Sequence, residues 1–162
     1  MVFTERTGGR VILKFLHIAF VFSGIALIYG TEFLLHRIGR SNDTQSIRTA
    51  FGMAKPIATV APAVFWVGVG FGIAAGILNG YNLLAPWLLA TYVLVAILLV
   101  GGLTITVPWM NRVGTLAAAA PDGPAPAELT AVLHDGRVTT LMWASIVVDV
   151  AIVALMVFKP GA

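Results

Sequence analysis

Cysteine is absent from all 162 residues. Disulfides, thiolate metal sites, iron–sulfur clusters and covalently attached c-type heme are thereby excluded. Charge is scarce as well, at 10% of residues, against 59% hydrophobic residues and a mean hydropathy of +0.94. That balance lies outside the range of soluble globular domains and indicates an integral membrane protein. Histidine occurs only three times, with no His-x-x-His or Glu-x-x-His spacing, so neither a closed zinc site nor a di-iron centre is expected. No polar stretch is long enough to hold a second core, and no internal repeat is evident. The net charge of +3 comes from ten basic residues placed mainly at the ends of apolar runs, as headgroup anchors rather than a nucleic-acid surface.

Four apolar runs have the length of about 20 residues that a helix needs to cross the hydrocarbon core. They cover roughly residues 11–35, 55–78, 86–109 and 138–158. The expected fold is therefore all-α, one domain over residues 1–162, a four-helix transmembrane bundle in a cell membrane with both termini on one side. Arg6, Arg10 and Lys14 ahead of an apolar stretch resemble a signal peptide, but no small-x-small cleavage site lies near Tyr29-Gly30, so the run reads as a span. A polar first loop is expected over Arg37 to Ala54 and a tight turn at Asn79-Gly80-Tyr81-Asn82, making spans two and three antiparallel neighbours. The Ala/Pro-rich segment AAAAPDGPAPAEL reads as a flexible linker, followed by an amphipathic lead-in over Ala127 to Gly136. Six basic residues (Arg37, Arg40, Arg48, Lys55, Arg112, Arg137) fall on the side of loops one and three, and four (Arg6, Arg10, Lys14, Lys159) on the side of the termini. The positive-inside rule then places the termini outside.

The second run, VGVGFGIAAGILNG, spaces Gly68, Gly72, Gly76 and Gly80 four apart. Small residues at that interval let two backbones approach, either within the chain or at a homo-oligomer face, and leave room for a flat ligand. Ionisable groups inside spans are costly, at roughly 2.5–3.5 kcal/mol for a charged group near the centre. Lys14, Lys55 and His36 lie near enough to span ends to snorkel, and Glu32 and His36, four apart, form a helix-surface pair. Asp149, near the middle of the last run, needs a partner or a proton. It shares a polar stripe with Ser145 and Met142, and by depth His17 or Lys14 comes within reach if the first and last spans are neighbours. His17 is the best ligand candidate, because neutral imidazole is the commonest axial ligand of heme iron and a carboxylate such as Asp149 often holds its second nitrogen. Gly24, seven residues on, would clear space on the same face for a macrocycle edge. His36 and His134 are too far along the chain to reach the same iron, so a sixth ligand would be a methionine, Lys14 or a group from another protomer.

Leu13-Lys14-Phe15-Leu16-His17 at the start of the first span, Trp143, and the ending Met156-Val157-Phe158-Lys159-Pro160 together resemble a family of small integral membrane proteins known as domain of unknown function 2269. That family is distantly similar to the copper-resistance protein D and J-type protoporphyrinogen oxidase group of four-helix-core heme proteins. The resemblance implies that Lys14-x-x-His17 corresponds to the recurrent Lys-x-x-His of that group and that His17 serves a heme b. On these grounds the sequence predicts a membrane heme-b protein, in the manner of a heme-dependent oxidoreductase, that works in electron transfer or a membrane redox step. His17 is its metal ligand, with Lys14, Gly24 and Asp149 lining the cofactor. Two other classes fit the same residues: a proton-coupled small-solute or ion carrier using Asp149 and His17, and an accessory subunit of a larger membrane complex.

Overall fold

Apolar runs of this length form helices because only a helix satisfies every backbone group internally when no water is at hand. The computed structural model describes residues 2–161, with the side chains of residues 8–161; Arg6 of the terminal charge count has its side chain outside that range. The elements are α1 (Val2–Gly39), α2 (Thr44–Leu78), α3 (Pro86–Gly101), a π-helical segment (Gly102–Thr106), α4 (Val107–Ala119), α5 (Ala127–Leu133) and α6 (Gly136–Phe158). Four stretches are long and apolar enough to span a membrane: Gly8–Gly39, Thr44–Leu78, Pro86–Ala119 and Ala127–Phe158. The third comprises α3, the π segment and α4, and the fourth comprises α5 and α6.

Helix boundaries follow local chemistry. Asp43 caps α2 by accepting from the Ser46 amide and hydroxyl, which hold its carboxyl below the usual range. The expected polar loop over Arg37 to Ala54 is thus almost entirely helical, and only the turn between Gly39 and Thr44 interrupts it. Asp135 caps α6 through the Arg137 amide, and Pro86 opens α3 at a position where no amide donor is needed. Gly80, at φ +71°, provides the left-handed residue that the second turn requires.

α1 and α2 form a close antiparallel pair built on the glycines. A Cβ placed on Gly24 would lie 2.8 Å from the Phe65 backbone, one on Gly68 would lie 2.7 Å from the Val21 nitrogen, and one on Gly72 would strike the His17 ring. The glycine ridge is therefore consumed inside the chain by α1, and its continuation, Gly76, meets Leu83. Neither Gly24 nor this stretch of ridge is a free oligomer face or an open slot for a macrocycle.

The third span meets the second as expected, but through only one of its halves. α3 lies beside α6, and it is α4, beyond the π segment, that packs on α2. Spans two and three are antiparallel but in close contact only in the half nearest the α1–α2 turn. The cause sits in the sequence TITVP: Pro108 has no amide to donate, and the helix widens over Gly102–Thr106, where the Val107 amide reaches back five residues to the Gly102 carbonyl. In that half a core forms from Leu35, Ile47, Phe51, Val113, Leu129 and Val138 around Trp109. The Trp109 indole donates to the Val132 carbonyl at 2.9 Å and stacks on His36. α5 is the amphipathic lead-in that the sequence suggested, with Leu129 and Leu133 buried. At the other end a smaller cluster of Ala85, Trp87 and Leu88 meets Met156, and Lys159 donates to the Tyr81 hydroxyl at 2.9 Å, clasping the end of α6 to the second turn.

The segment between α4 and α5 is pinned rather than a free linker. The Thr44 amide donates to the Gly123 carbonyl and the Ala125 amide to the Asn42 carbonyl. Arg48 fixes the end of α4 by donating to the carbonyls of Ala117 at 3.0 Å and Ala120 at 2.7 Å and to the Asp122 carboxylate at 2.8 Å. These carbonyls belong to a helix terminus with no intrahelical donors of its own. Arg48→Ala is expected to lower stability by about 2–3 kcal/mol, since a charged donor serving several acceptors is lost. Arg48→Lys is expected to recover little, because an ammonium lacks the planar fork. Denaturant unfolding in detergent followed by circular dichroism measures both variants; equal stability of the lysine variant and wild type would refute the fork geometry.

Candidate functional site

Asp149 sits on α6, half-buried, and its Oδ2 accepts a hydrogen bond of 2.6 Å from the Tyr29 hydroxyl of α1. Its partner is thus Tyr29, not His17 or Lys14. His17 lies twelve residues before Tyr29 on α1, about 18 Å away along the axis, so the two candidate groups occupy different levels. Depth counted from span ends failed because α1 and α6 are not packed side by side and Asp149 meets α1 at the level of Tyr29, well past His17.

The Tyr29–Asp149 bond lies on the wall of a cavity of about 260 Å³ between α1, α2, α3 and α6. Its aliphatic lining includes Ile25, Ile28, Leu98, Leu103 and Leu141, and Phe65 and Trp66 contribute an edge-to-face aromatic pair. Polar groups are few and converge: Glu32 one turn beyond Tyr29, Ser145 one turn before Asp149, and Thr31 and Thr106. Glu32 has no ion-pair partner among the described residues and lies beside the Thr106 hydroxyl; it does not pair with His36, which turns to Trp109 instead. The π segment contributes Gly102, Leu103 and Thr106 to the wall, so the widened helix faces the cavity. Trp66, Leu99 and Leu103 both line the cavity and are 44%, 42% and 60% exposed on the outer surface. The cavity therefore opens sideways between α2 and α3, where those helices do not pack.

His17 has a different environment. Its Nδ1 donates to the Gly68 carbonyl at 2.8 Å, the tautomer assigned from that acceptor, and its ring lies over Gly72. Nε2 is left without a hydrogen-bond partner among the described residues. That orientation suits an axial ligand, whose second nitrogen is held by a carbonyl. The remainder of a heme pocket is not assembled around it. Gly24 is filled by Phe65, Asp149 is at another level, and Lys14, one turn away on the same helix, is exposed. His36 and His134 lie toward the opposite end of the bundle. The residues of one chain therefore fit a heme as a single axial nitrogen and not as an enclosing pocket.

Of the four residues expected to share a site, His17 and Lys14 are close on α1, Gly24 serves helix packing, and Asp149 belongs to the cavity. Sequence reading missed Tyr29, Glu32 and Trp66 as cavity residues. The available signal was the offset of three between Tyr29 and Glu32, which puts both on one helix face. No family model, curated protein or solved structure matches the chain.

Proposed function

We propose that the chain is a proton-coupled small-solute carrier of the membrane, in which the central cavity binds the solute and Asp149 exchanges a proton with it. One observation carries this reading: a carboxyl group deep in a span, hydrogen-bonded to Tyr29, faces a cavity that is otherwise nearly apolar. Ionisable groups at membrane depth that face a cavity mark solute paths and proton relays. The Tyr29 hydroxyl steadies Asp149 as a carboxylate, and a proton taken up there breaks the charge of the pair, so solute occupancy and protonation compete for one acceptor. The π segment beside Pro108 supplies a point at which α3 can bend against α4 and change access to the cavity. The excess of basic residues around the α1–α2 turn and α4 supports a cytoplasmic position for that end and outside termini.

Proteoliposomes with a trapped pH dye test the reading. Addition of one or more small aryl solutes (benzyltrimethylammonium, benzyl alcohol, benzoate) is expected to move protons across vesicles holding the wild-type protein beyond the movement in empty ones, where benzoate alone carries protons as the permeant neutral acid. Absence of solute-linked proton movement for all three would refute it.

The free Nε2 of His17 favours a second reading, a heme-b protein of the kind the Lys14-x-x-His17 resemblance suggests. The group would supply one-electron redox chemistry; His17 would hold it by Nε2 while Gly68 fixes the ring, and the other coordination position would come from outside this chain, as in a homo-oligomer or larger complex. Protein produced with a heme supply is then expected to show a Soret band that His17→Ala removes. A colourless preparation would end this reading.

A further inference from the structure

The cavity wall is one-sided in its chemistry. Among the described residues its ionisable side chains are Tyr29, Glu32 and Asp149, with no lysine, arginine or histidine. Glu32, beside the Thr106 hydroxyl, has no cationic partner among the described residues. Pro62 has no amide, so the Ala58 carbonyl one turn earlier loses its helical donor, and both residues line the wall. The cavity thus offers two carboxyl groups and a freed carbonyl as acceptors, while its only side-chain donors are hydroxyls and the Trp66 indole. An anion would meet two carboxyl groups and no fixed positive charge. A cation would meet acceptors together with the aromatic rings of Phe65 and Trp66, whose π-systems attract positive charge.

A bare metal ion fits poorly. A hard cation needs six or more oxygen ligands at about 2.0–2.6 Å, and no cluster of three or more metal-binding side chains occurs among the described residues. The wall is mainly aliphatic and aromatic, so most of the occupant's surface must be apolar. The sideways opening past Trp66, Leu99 and Leu103 admits a molecule that already partitions into the bilayer. Resting on the carrier reading, we infer that the solute is a monovalent organic cation, an amine or quaternary ammonium on a compact apolar or aromatic body, held between Glu32 and Asp149 with its ring against Trp66.

Calorimetric titration of the wild-type protein in lipid nanodiscs tests this with three compounds of similar shape: benzyltrimethylammonium, benzyl alcohol and benzoate. Buffers of different ionisation enthalpy give the protons released in the same experiment. The cation is expected to bind at least tenfold more tightly than the alcohol, and benzoate not to bind. Glu32→Gln and Asp149→Asn are each expected to weaken the cation tenfold or more and the alcohol less, and Trp66→Leu to weaken the cation more than the alcohol. A circular dichroism spectrum matching that of the wild type shows that each variant is folded. Equal or tighter binding of the alcohol or benzoate overturns the assignment of a cation, as does unchanged cation affinity in Glu32→Gln. Cation binding without proton release leaves the ligand class standing and overturns the coupled-carrier reading; binding of the neutral compound alone, with proton release, does the reverse. No binding by any of the three overturns both.

Discussion

Asp149→Asn is expected to reduce solute-linked proton movement to the level of empty vesicles while the protein folds as before. Asparagine has nearly the same shape, and its amide oxygen still accepts from the Tyr29 hydroxyl, which in the wild type donates at 2.6 Å. What disappears is the ability to carry a proton or a negative charge. A purely structural interhelical hydrogen bond would survive this change with little effect on transport, so the variant separates a structural from a functional role. Tyr29→Phe makes the complementary case: Asp149 keeps its charge chemistry and loses its donor. A hydrogen bond to a charged group contributes about 1.5–3 kcal/mol, so an effect of roughly tenfold to a hundredfold on solute-linked proton movement is expected. Proteoliposome assays at matched protein density measure both; unaltered transport by Asp149→Asn would remove Asp149 from the mechanism.

Gly24→Leu is expected to split the α1–α2 pair and give the largest loss of stability of any single substitution in the spans. The obstacle is backbone, since the first added carbon would stand 2.8 Å from the N, Cα and Cβ of Phe65, and no rotamer change relieves it. Even one inserted methyl in a packed interface costs about 1–3 kcal/mol, and leucine adds three further carbons. Gly30 provides the control: nothing lies within 4 Å of its added Cβ, so Gly30→Ala is expected to be neutral. Unfolding in mixed detergent, followed by circular dichroism, compares the two. Wild-type stability in Gly24→Leu would mean that α1 and α2 do not meet along the glycines. Because Phe65 also lines the cavity, a partly folded variant is expected to lose solute binding too.

These expectations show which parts of the molecule local sequence determines. The spans were legible because apolar length leaves a lipid-facing chain no alternative to helix, and exposed Phe15, Phe22, Val147 and Val157 now face outward as that argument requires. The need of Asp149 for a partner was legible from its depth alone. The identity of that partner was not, since it depends on which helices are neighbours and on their axial offset. Tyr29 carries no marker in the sequence beyond its offset from Glu32. The glycine ridge announced a close approach, and its partner, α1 of the same chain, emerged only with the fold. The pinned segment between α4 and α5 was misread because Ala/Pro composition signals flexibility, whereas the Arg48 fork that holds it lies about seventy residues earlier. The widening before Pro108 was readable in principle, because proline removes a donor. That it would shape a cavity wall became visible only once α2 and α3 were seen to diverge.

Proton coupling in this carrier requires that the protonation of Asp149 respond to what occupies the cavity. Infrared difference spectroscopy of the protein in lipid, recorded with and without benzyltrimethylammonium, reads that directly through the carboxyl and carboxylate stretching bands. The predicted result is a carboxylic-acid C=O band that diminishes as the cation binds, with a matching carboxylate gain, and whose change is missing in Asp149→Asn. A spectrum in which the Asp149 bands are the same with and without the cation across the pH range would contradict it.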